Sequence, residues 1–351
     1  MNRIADFRRK FAGCALINSR VNMQYLTGYT GEGAILLLPQ STVILTDFRY
    51  IEQAERQSPF AVVSRTTPEA RTNAQIKKLM DEAGEKTLYV ETDELTAKQY
   101  KTLEADLPGI SLEELPDVIM ELRTVKSLDE WNLIAKAAEI SCAAFMDLMG
   151  VLHAGMTEKQ ARAELEYFML KRGSEGPAFD TIVASGVNGS LPHAVPSDKV
   201  IEKGELVTFD FGASFGGYCS DMTRTVAIGE ISSELHAIYD AVLEAQLAAL
   251  KAIKPGVVCK DVDKIARDYL DARYPGAFGH SLGHGVGLQI HERPNLSYRC
   301  DKVLEPGHVV TDEPGVYIPG VGGCRIEDTV FVTEGGHINP YTAPKQLITL
   351  N

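Results

Sequence analysis

Residues 209–221, FDFGASFGGYCSD, decide the fold, because they place one aspartate in an apolar strand and a second aspartate beyond a turn. If residues 214–217 form a tight hairpin turn, Asp210 and Asp221 become cross-strand neighbours with side chains on one face, roughly 5 Å apart. Two negative charges at that distance repel each other and are costly to bury. The stretch indicates either a cation between two buried carboxylates or a solvated edge hairpin. The apolar residues before Asp210 argue against the second.

A second copy of this pattern lies further along the chain. The stretches GELVTFDFG and GHVVTDEPG align without a gap, and this alignment places Asp210 on Glu313. With a short insertion, Asp221 then aligns with Glu327. Two carboxylate-bearing hairpins predict a pseudo-twofold domain in which both pairs of carboxylates face one centre. Two divalent cations can neutralise four such carboxylates, whereas one cannot.

Histidines supply the remaining candidate ligand. GHSLGHGVGLQIHE contains His280, His284 and His291, but its glycines argue against a regular helix, and no glutamate follows His280 as an HExxH zinc motif requires. An oxygen-rich set with one imidazole favours Mn²⁺ or a similar ion over a structural zinc. Two metals about 3.5–4 Å apart can share a water, lower its pKa and clamp an attacked carbonyl. The expected reaction is therefore hydrolysis.

Composition narrows the class of protein. The chain has 351 residues and a net charge of −13, which makes nucleic acid and anionic membranes poor candidate partners. Its longest aliphatic run, residues 34–38, is too short to span a bilayer, and the N-terminus has no signal-peptide core. Six scattered cysteines without a CxxC pair indicate reduced thiols. We expect a cytoplasmic protein that binds neither nucleic acid nor membrane.

The chain divides into two predicted domains. Residues 1–122 alternate helix-like and strand-like segments, which predicts an α/β domain, and they carry no nucleotide-binding fingerprint. Residues 110–127 are interpreted as the crossover to the second domain, residues 123–351. Capping boxes begin helices at Ser127 and Thr157, and two more helices are expected before the histidine-rich stretch.

The series LPHAVPS, FDFGASFGGYCSDMTRT, GHSLGHGVG, IHE, TDEPGVY and RIED closely resembles the pita-bread, M24-type metallopeptidases, in their Xaa-Pro aminopeptidase and prolidase branch. The resemblance covers essentially the whole chain, because the first domain and the RTVKSLDEWNLI entry helix also look like that branch. It implies a creatinase/prolidase-like α/β domain, followed by an α+β pita-bread catalytic domain with a pseudo-twofold curved antiparallel sheet. It also implies a homodimer.

The resemblance implies a dinuclear metal centre. Its ligands would be Asp210, Asp221, His284, Glu313 and Glu327. Asp210 would bind one metal, His284 and Glu313 the other, and Asp221 with Glu327 would bridge both. Mn²⁺ is the expected ion, with Co²⁺, Zn²⁺ and Fe²⁺ as alternatives.

Catalytic and substrate-binding roles are also carried over from the resemblance. Glu313 would accept the proton of a metal-bridging water or hydroxide that attacks the peptide. His193 and His291 would flank the substrate and stabilise the oxyanion, and His280 would line the pocket. Arg325 would steady Glu327 or the substrate. On their own, His193 is typical of a surface histidine and Arg325 of an ordinary ion pair.

Some positions have no settled interpretation. Asp312 stands where the family usually has an apolar residue; strand alternation directs it away from the metals, towards a salt bridge or an interface contact. Phe179, Ile182 and Val195 form either an apolar proline pocket or ordinary core packing.

The expected activity is that of a dimetal exopeptidase that removes the residue before proline from small peptides. The alternative is a prolidase restricted to Xaa-Pro dipeptides, which needs a cation for the substrate's carboxylate. Arg293 and Arg299 are candidates, but prolidases would have a basic residue at Asn295, so the sequence favours the aminopeptidase. A catalytically silent pita-bread binding protein and a metal-free amidinohydrolase resembling creatinase are further alternatives.

Overall fold

A six-stranded sheet organises the first part of the chain. The computed structural model describes residues 3–351, and the chain divides into two units between Arg123 and Thr124. The elements of the first are α1 Arg3–Lys10, β1 Cys14–Ile17, α2 Arg20–Thr27, β2 Ala34–Leu38, β3 Ser41–Thr46, α3 Ile51–Gln57, β4 Val62–Arg65, α4 Thr72–Ala83, β5 Thr87–Val90, α5 Ala97–Asp106, β6 Ser111–Glu114 and α6 Val118–Thr124. The strand order is β4-β3-β2-β1-β5-β6, with β1 antiparallel to β2 and parallel to β5.

The predicted alternation of helices and strands is confirmed in this unit, and the boundary between the two units lies within the predicted crossover. Residues 110–127 contain strand β6 and helix α6. β6 is an edge strand whose Ser111, Glu113 and Glu114 are exposed. Ile110 and Leu112 alternate with Ser111 and Glu113, which is the pattern of a half-buried strand, so the sequence contained a signal for β6 that was not used. The sequence interpretation also left helix α2 unassigned.

The second unit contains four long helices and a set of short strands. The helices are α7 Leu128–Met149, α8 Glu158–Lys171, α9 Ser233–Ala252 and α10 Cys259–Asp271. The strands are β7 Ile182–Ser185, β8 Glu205–Phe211, β9 Ser214–Phe215, β10 Tyr218–Cys219, β11 Met222–Ile228, β12 Gly283–Gly285, β13 Glu292–Leu296, β14 Val309–Asp312, β15 Gly315–Ile318, β16 Gly322–Arg325, β17 Asp328–Thr333, β18 Gly336–Ile338 and β19 Thr349–Leu350. Both predicted capping boxes are confirmed, with Ser127 capping α7 and Thr157 capping α8. Among the described residues, none of the helices combines the length and apolar character that a bilayer crossing requires.

Helices back each of the two larger sheets of this unit. The sheet β19-β11-β8-β7 shares its core with α7 and α8, where Phe145 and Leu165 pack with Phe209. The sheet β13-β12-β14-β17-β18 shares a second core with α9 and α10, where Val242 packs with Val310. The polar ligand-bearing strand ends are thereby placed between two apolar layers.

The hairpin turn lies one residue further along the chain than predicted. Phe215 pairs with Tyr218, so the turn residues are Gly216 and Gly217, whose φ values are 59° and 78°. Two positive φ angles are typical of a type I′ turn, which glycine adopts without strain. The register that follows sets Asp210 opposite Thr223, not opposite Asp221. Asp221 lies two residues before Thr223, immediately ahead of β11.

The repeated pattern forms two hairpins in different sheets. In the first, β8 pairs with β11; Asp210 lies in β8, and Asp221 immediately precedes β11. In the second, β14 pairs with β17; Glu313 immediately follows β14, and Glu327 immediately precedes β17. Glu327 N–H donates to the Thr223 carbonyl over 3.1 Å, which joins the second hairpin to the first. The ends of both hairpins that carry carboxylates therefore meet.

Candidate metal centre

A cavity of about 540 Å³ in the second unit collects the predicted site residues. It is lined by Phe179, Asp180, Ile182, Pro192, His193, Asp210, Asp221, His280, Ser281, Gly283, His284, Ile290, His291, Asn295, Glu313, Arg325 and Glu327. The nine residues to which the resemblance assigned metal, catalytic or substrate roles are among them, whereas the further candidates Val195, Arg293 and Arg299 are not. Positions from four separate stretches of chain are thus brought to one place.

The carboxylates and one imidazole converge at the cavity wall. Ligand atoms of Asp221, His284 and Glu327 all lie within 4.8 Å of one another. The His284 Nε2 atom is 3.3 Å from Glu313 Oε1 and 3.5 Å from Asp221 Oδ2. Asp210 lies outside this innermost group and is held on its other side by an arginine, Arg325.

Two buried oxygens of the cluster have no hydrogen-bond partner. They are Asp210 Oδ1 and Glu327 Oε1. Burying an unpaired carboxylate oxygen is costly, and a bound cation would satisfy both. Hard oxygen donors with one imidazole suit Mn²⁺ and related divalent ions, so the donor set fits the predicted metals.

Hydrogen bonds to the Gly285 carbonyl and to Thr311 orient His284 as a ligand. Its Nδ1 atom donates to the Gly285 carbonyl over 3.0 Å, which turns Nε2 towards the acids. Its N–H donates to Thr311 Oγ1 over 2.9 Å, and the Thr311 hydroxyl donates to Glu313 Oε1 over 2.9 Å. One threonine therefore fixes both His284 and Glu313.

Arg325 supports Asp210 and not Glu327, which corrects one of the two roles predicted for it. Its Nη2 atom is 2.5 Å from Asp210 Oδ2. It approaches Glu327 only through Thr223, which accepts from Arg325 Nε over 3.2 Å and donates to Glu327 Oε2 over 2.6 Å. The β8–β11 register presents Asp210 to the guanidinium.

Burial and mutual repulsion act on the pKa values of the clustered carboxylates. Burial and the charges of Glu313 and Asp210 raise the pKa of Glu327 well above its usual range. Burial and Glu327 do the same to the pKa of Asp221. Burial also acts to raise the pKa of Glu313, but the hydrogen bond and charge of His284 outweigh it and hold the pKa at about 2. A bound cation would therefore compensate the repulsion among these buried carboxylates.

Three further histidines lie at the cavity, and two of them, His280 and His291, have lowered pKa values. Burial lowers the pKa of His280, and burial together with His284 lowers the pKa of His291. His280 Nδ1 donates to the Ser281 carbonyl, so its Nε2 accepts from the Tyr317 hydroxyl over 2.8 Å. His291 lies edge-on to His284, with 4.4 Å between ring centroids. His193 is exposed at the rim.

The structure shows the surroundings of the positions that the sequence analysis left without an interpretation. Asp312 is buried and its Oδ2 atom accepts from Gln246 Nε2 in α9 over 3.1 Å, so it points away from the cavity as strand alternation predicted. Phe179 and Ile182 line the cavity, whereas Val195 is 80% exposed and does not.

Sequence reasoning missed two residues that orient the candidate ligands, Thr223 and Thr311. Each lies two residues from a predicted ligand, and that same-face spacing is a signal that could have identified them.

Comparison with known proteins agrees with the fold. Residues 132–334 match metallopeptidase family M24, and residues 4–125 match the creatinase/prolidase N-terminal domain. The structure is similar to that of an Xaa-Pro dipeptidase from Bacillus anthracis, at 41% identity and a TM-score of 0.95 over 99% of both chains.

An X-Pro aminopeptidase from Thermotoga maritima has 38% identity and a TM-score of 0.92, over 98% of this chain and 99% of that one. An Xaa-Pro dipeptidase from Pyrococcus horikoshii is 37% identical over 99% of this chain and 98% of that protein. These likenesses confirm the predicted fold class of an α/β creatinase-type domain followed by a pita-bread domain. The chain therefore belongs to metallopeptidase family M24 and is a hydrolase.

Proposed function

We propose that this chain is a metal-dependent exopeptidase that hydrolyses the bond between an N-terminal residue and a following proline, and that it accepts peptides longer than two residues. The observation that carries the proposal is the convergence of four carboxylates and one oriented imidazole at the wall of a single cavity. The relatives named Xaa-Pro dipeptidase and X-Pro aminopeptidase support the same bond preference.

The proposed metal ligands are the residues whose free atoms face one another. They are Asp210, Asp221, His284, Glu313 and Glu327. When bound, divalent ions would activate water and polarise the peptide carbonyl. Mn²⁺ is the ion that we expect, because oxygen donors dominate the set.

Glu313 is the group to which we assign the proton of the attacking water. Its pKa is held at about 2 because, against burial, the His284 hydrogen bond and charge favour its ionised form. An ionised carboxylate is able to accept this proton, and its Oε1 atom lies at the cavity wall beside His284.

His193 and His291 are assigned to the substrate. Both are exposed side chains of the cavity lining, so their ring nitrogens are available to a bound peptide. A neutral imidazole can donate one hydrogen bond to an oxyanion or accept one from the substrate amine. His280 is committed to Tyr317 and Ser281, so we assign it to shaping the pocket.

Charge at the cavity favours peptides longer than dipeptides. Apart from histidines, Arg325 is the one cationic residue among the described residues of the lining. Its guanidinium already donates to Asp210, Tyr317 and the Pro192 carbonyl. A dipeptide's carboxylate would therefore meet the neutral side chain of Asn295 and the acidic side chain of Asp180.

A strict dipeptidase is the second candidate, because two of the compared relatives carry that name. The deciding experiment strips the metal with a chelator, restores Mn²⁺, and compares kcat/KM for an Xaa-Pro dipeptide with that for an Xaa-Pro-Xaa tripeptide. Metal-restored tripeptide cleavage supports the proposal. Cleavage confined to the dipeptide establishes the second candidate, and cleavage of neither overturns both.

Asn295→Arg tests the charge argument directly. A cation at this position would pair with a dipeptide's carboxylate, and we expect kcat/KM for the dipeptide to rise about tenfold relative to the tripeptide. Asn295→Gln is the matched control, because it adds length without charge and should leave the ratio unchanged. An equal response of both variants would mean that charge does not set the length preference.

A further inference from the structure

A buried glutamate outside the cavity holds both ends of the segment that carries His193. Glu158, the first residue of α8, is 1% exposed. Its Oε1 atom accepts from the Ser185 N–H over 2.8 Å and from the Ser185 hydroxyl over 2.9 Å. Its Oε2 atom accepts from the Ser197 N–H over 3.0 Å and from the Ser197 hydroxyl over 2.7 Å. Asn188 Nδ2 lies 3.1 and 3.2 Å from the two oxygens.

Residues 186–196, which we call the histidine segment, lie between these two anchors. Pro192 and His193 of the segment line the cavity. The described structure gives the His193 imidazole no hydrogen bond, so the path of the segment's backbone sets where the ring lies. Ser185 and Ser197 hold the two ends of this segment, and Arg325 Nη1 donates to the Pro192 carbonyl beside His193 over 3.3 Å. The end anchors therefore contribute to the place of His193.

The anchor is specific to an ionised carboxylate. Burial acts to raise the pKa of Glu158, but hydrogen bonds from Ser197, Ser185 and Asn188 outweigh it, and the pKa is lowered. A carboxylate accepts on both oxygens, whereas an amide would turn an N–H₂ group towards a backbone N–H at one end of the segment. Glutamine at this position would keep the side-chain shape and release one anchor.

We propose that Glu158 is a positioning residue that holds the histidine segment and thereby sets the place of His193 in the cavity. This role rests on the proposed function, since it assigns His193 to the substrate. Glu158 does not touch the cavity, so it acts only through the segment.

Glu158→Gln should break the hydrogen bonds at one end of the histidine segment without creating a cavity in the core. We expect about tenfold faster amide exchange in residues 185–198 of the metal-free protein, with β8 and β11 unchanged. The His193 imidazole NMR signal, identified by its loss in His193→Ala, should shift. Glu91→Gln is the matched control, because Glu91 is a buried carboxylate of the first unit that accepts from Asn18, Ser19 and Asn22.

Activity separates positioning from a loss of stability. With the Mn²⁺-loaded protein and an Xaa-Pro-Xaa tripeptide, kcat/KM should fall about tenfold to a hundredfold in Glu158→Gln, because misplaced groups lose catalysis steeply. The double variant with His193→Ala should be no worse than His193→Ala alone. Glu91→Gln should match the wild type.

Each outcome decides the proposal. The proposal is overturned if Glu158→Gln leaves both amide exchange and the His193 NMR signal unchanged. It is also overturned if exchange is faster but activity equals that of the wild type, or if the losses of kcat/KM add up in the double variant. If the wild type cleaves no Xaa-Pro peptide, the proposed function fails. The exchange and NMR comparisons then still decide whether Glu158 positions His193.

Discussion

Arg325 shows how one buried cation organises the acidic site at the scale of a single residue. Its side chain is 3% exposed, and it donates to Asp210, Tyr317 and Thr223. Burial raises the pKa of Asp210, whereas the arginine lowers it. In the absence of a metal ion, Arg325 is the fixed positive charge that compensates Asp210.

Arg325→Met should therefore destabilise the metal-free protein more than the Mn²⁺-loaded protein. Removing one partner of a buried ion pair leaves the other uncompensated and costs about 3–5 kcal/mol. A bound cation would compensate Asp210 in place of the arginine and reduce that loss. Denaturant unfolding with and without Mn²⁺ measures the difference. Arg172→Met, which breaks the more exposed pair with Asp147, should cost under about 1 kcal/mol in both states.

Protons and metal ions should compete for the same atoms of the site. Burial acts to lower the pKa of His284, but the hydrogen bond and charge of Glu313 outweigh it, and the pKa is raised. The pKa values of Asp221 and Glu327 are raised well above their usual range, with burial as the main cause. Groups with raised pKa values remain protonated to higher pH, so a metal ion must displace their protons.

Calorimetric titration of the metal-free protein with Mn²⁺ should therefore show net proton release near neutral pH. The signature is an apparent enthalpy that changes with the ionisation enthalpy of the buffer. Affinity should weaken as pH falls, because the raised pKa values keep more of these ligands protonated. An enthalpy independent of buffer would contradict this account. Asp221→Asn should release fewer protons.

The five candidate ligands could be predicted because the carboxylates recur in two aligned motifs and His284 lies in a stretch that resembles a known family. The residues that orient and support these ligands could not be predicted in this way. Thr311 fixes His284 and Glu313 through its hydroxyl, and Glu158 anchors a segment that follows it in sequence by many residues. Such contacts depend on which strands are neighbours, and a motif contains no information about that.

At the scale of elements, the hairpin turn decides which residues face one another. The sequence predicted a tight turn in the correct stretch but centred it one residue early, which placed Asp221 opposite Asp210. The adjacent glycines, Gly216 and Gly217, were the better indicator, because a two-residue type I′ turn requires positive φ at both positions. The shift sets Thr223 opposite Asp210.

Gly217→Ala should cost stability because the turn needs a left-handed conformation there. With φ at 78°, a β-carbon adds about 1–2 kcal/mol of strain. The Gly217 N–H also donates to Glu175 over 2.9 Å, which holds the turn in place. Gly335→Ala is the control, because a β-carbon there meets open space and its φ is not positive. Equal unfolding free energies for the two variants would contradict the assigned turn.

At the scale of the whole molecule, each unit has its own apolar core, and the candidate metal centre belongs to the second. Ile76 and Leu88 lie in the core of the first unit, whereas Val242 and Phe209 lie in two cores of the second. The alternating pattern predicted the first unit, and the internal repeat predicted the second. Strand β6 is short and lies within the predicted crossover, so the alternation of Ile110 and Leu112 with polar residues was not assigned to a strand.

Mn²⁺ should therefore protect the sheets of the second unit and leave the sheet of the first unchanged. A ligand that binds only the folded site stabilises it by about 2.7 kcal/mol at a hundred times its dissociation constant. Amide exchange of the full chain, followed by mass spectrometry, should slow in β8, β11, β14 and β17 after Mn²⁺ is added. Asp221→Asn removes one candidate ligand and should lose most of that protection. Equal protection of β1 and β2 would mean that the ion stabilises the chain as one cooperative whole, and protection absent from both units would remove the metal centre from this cavity.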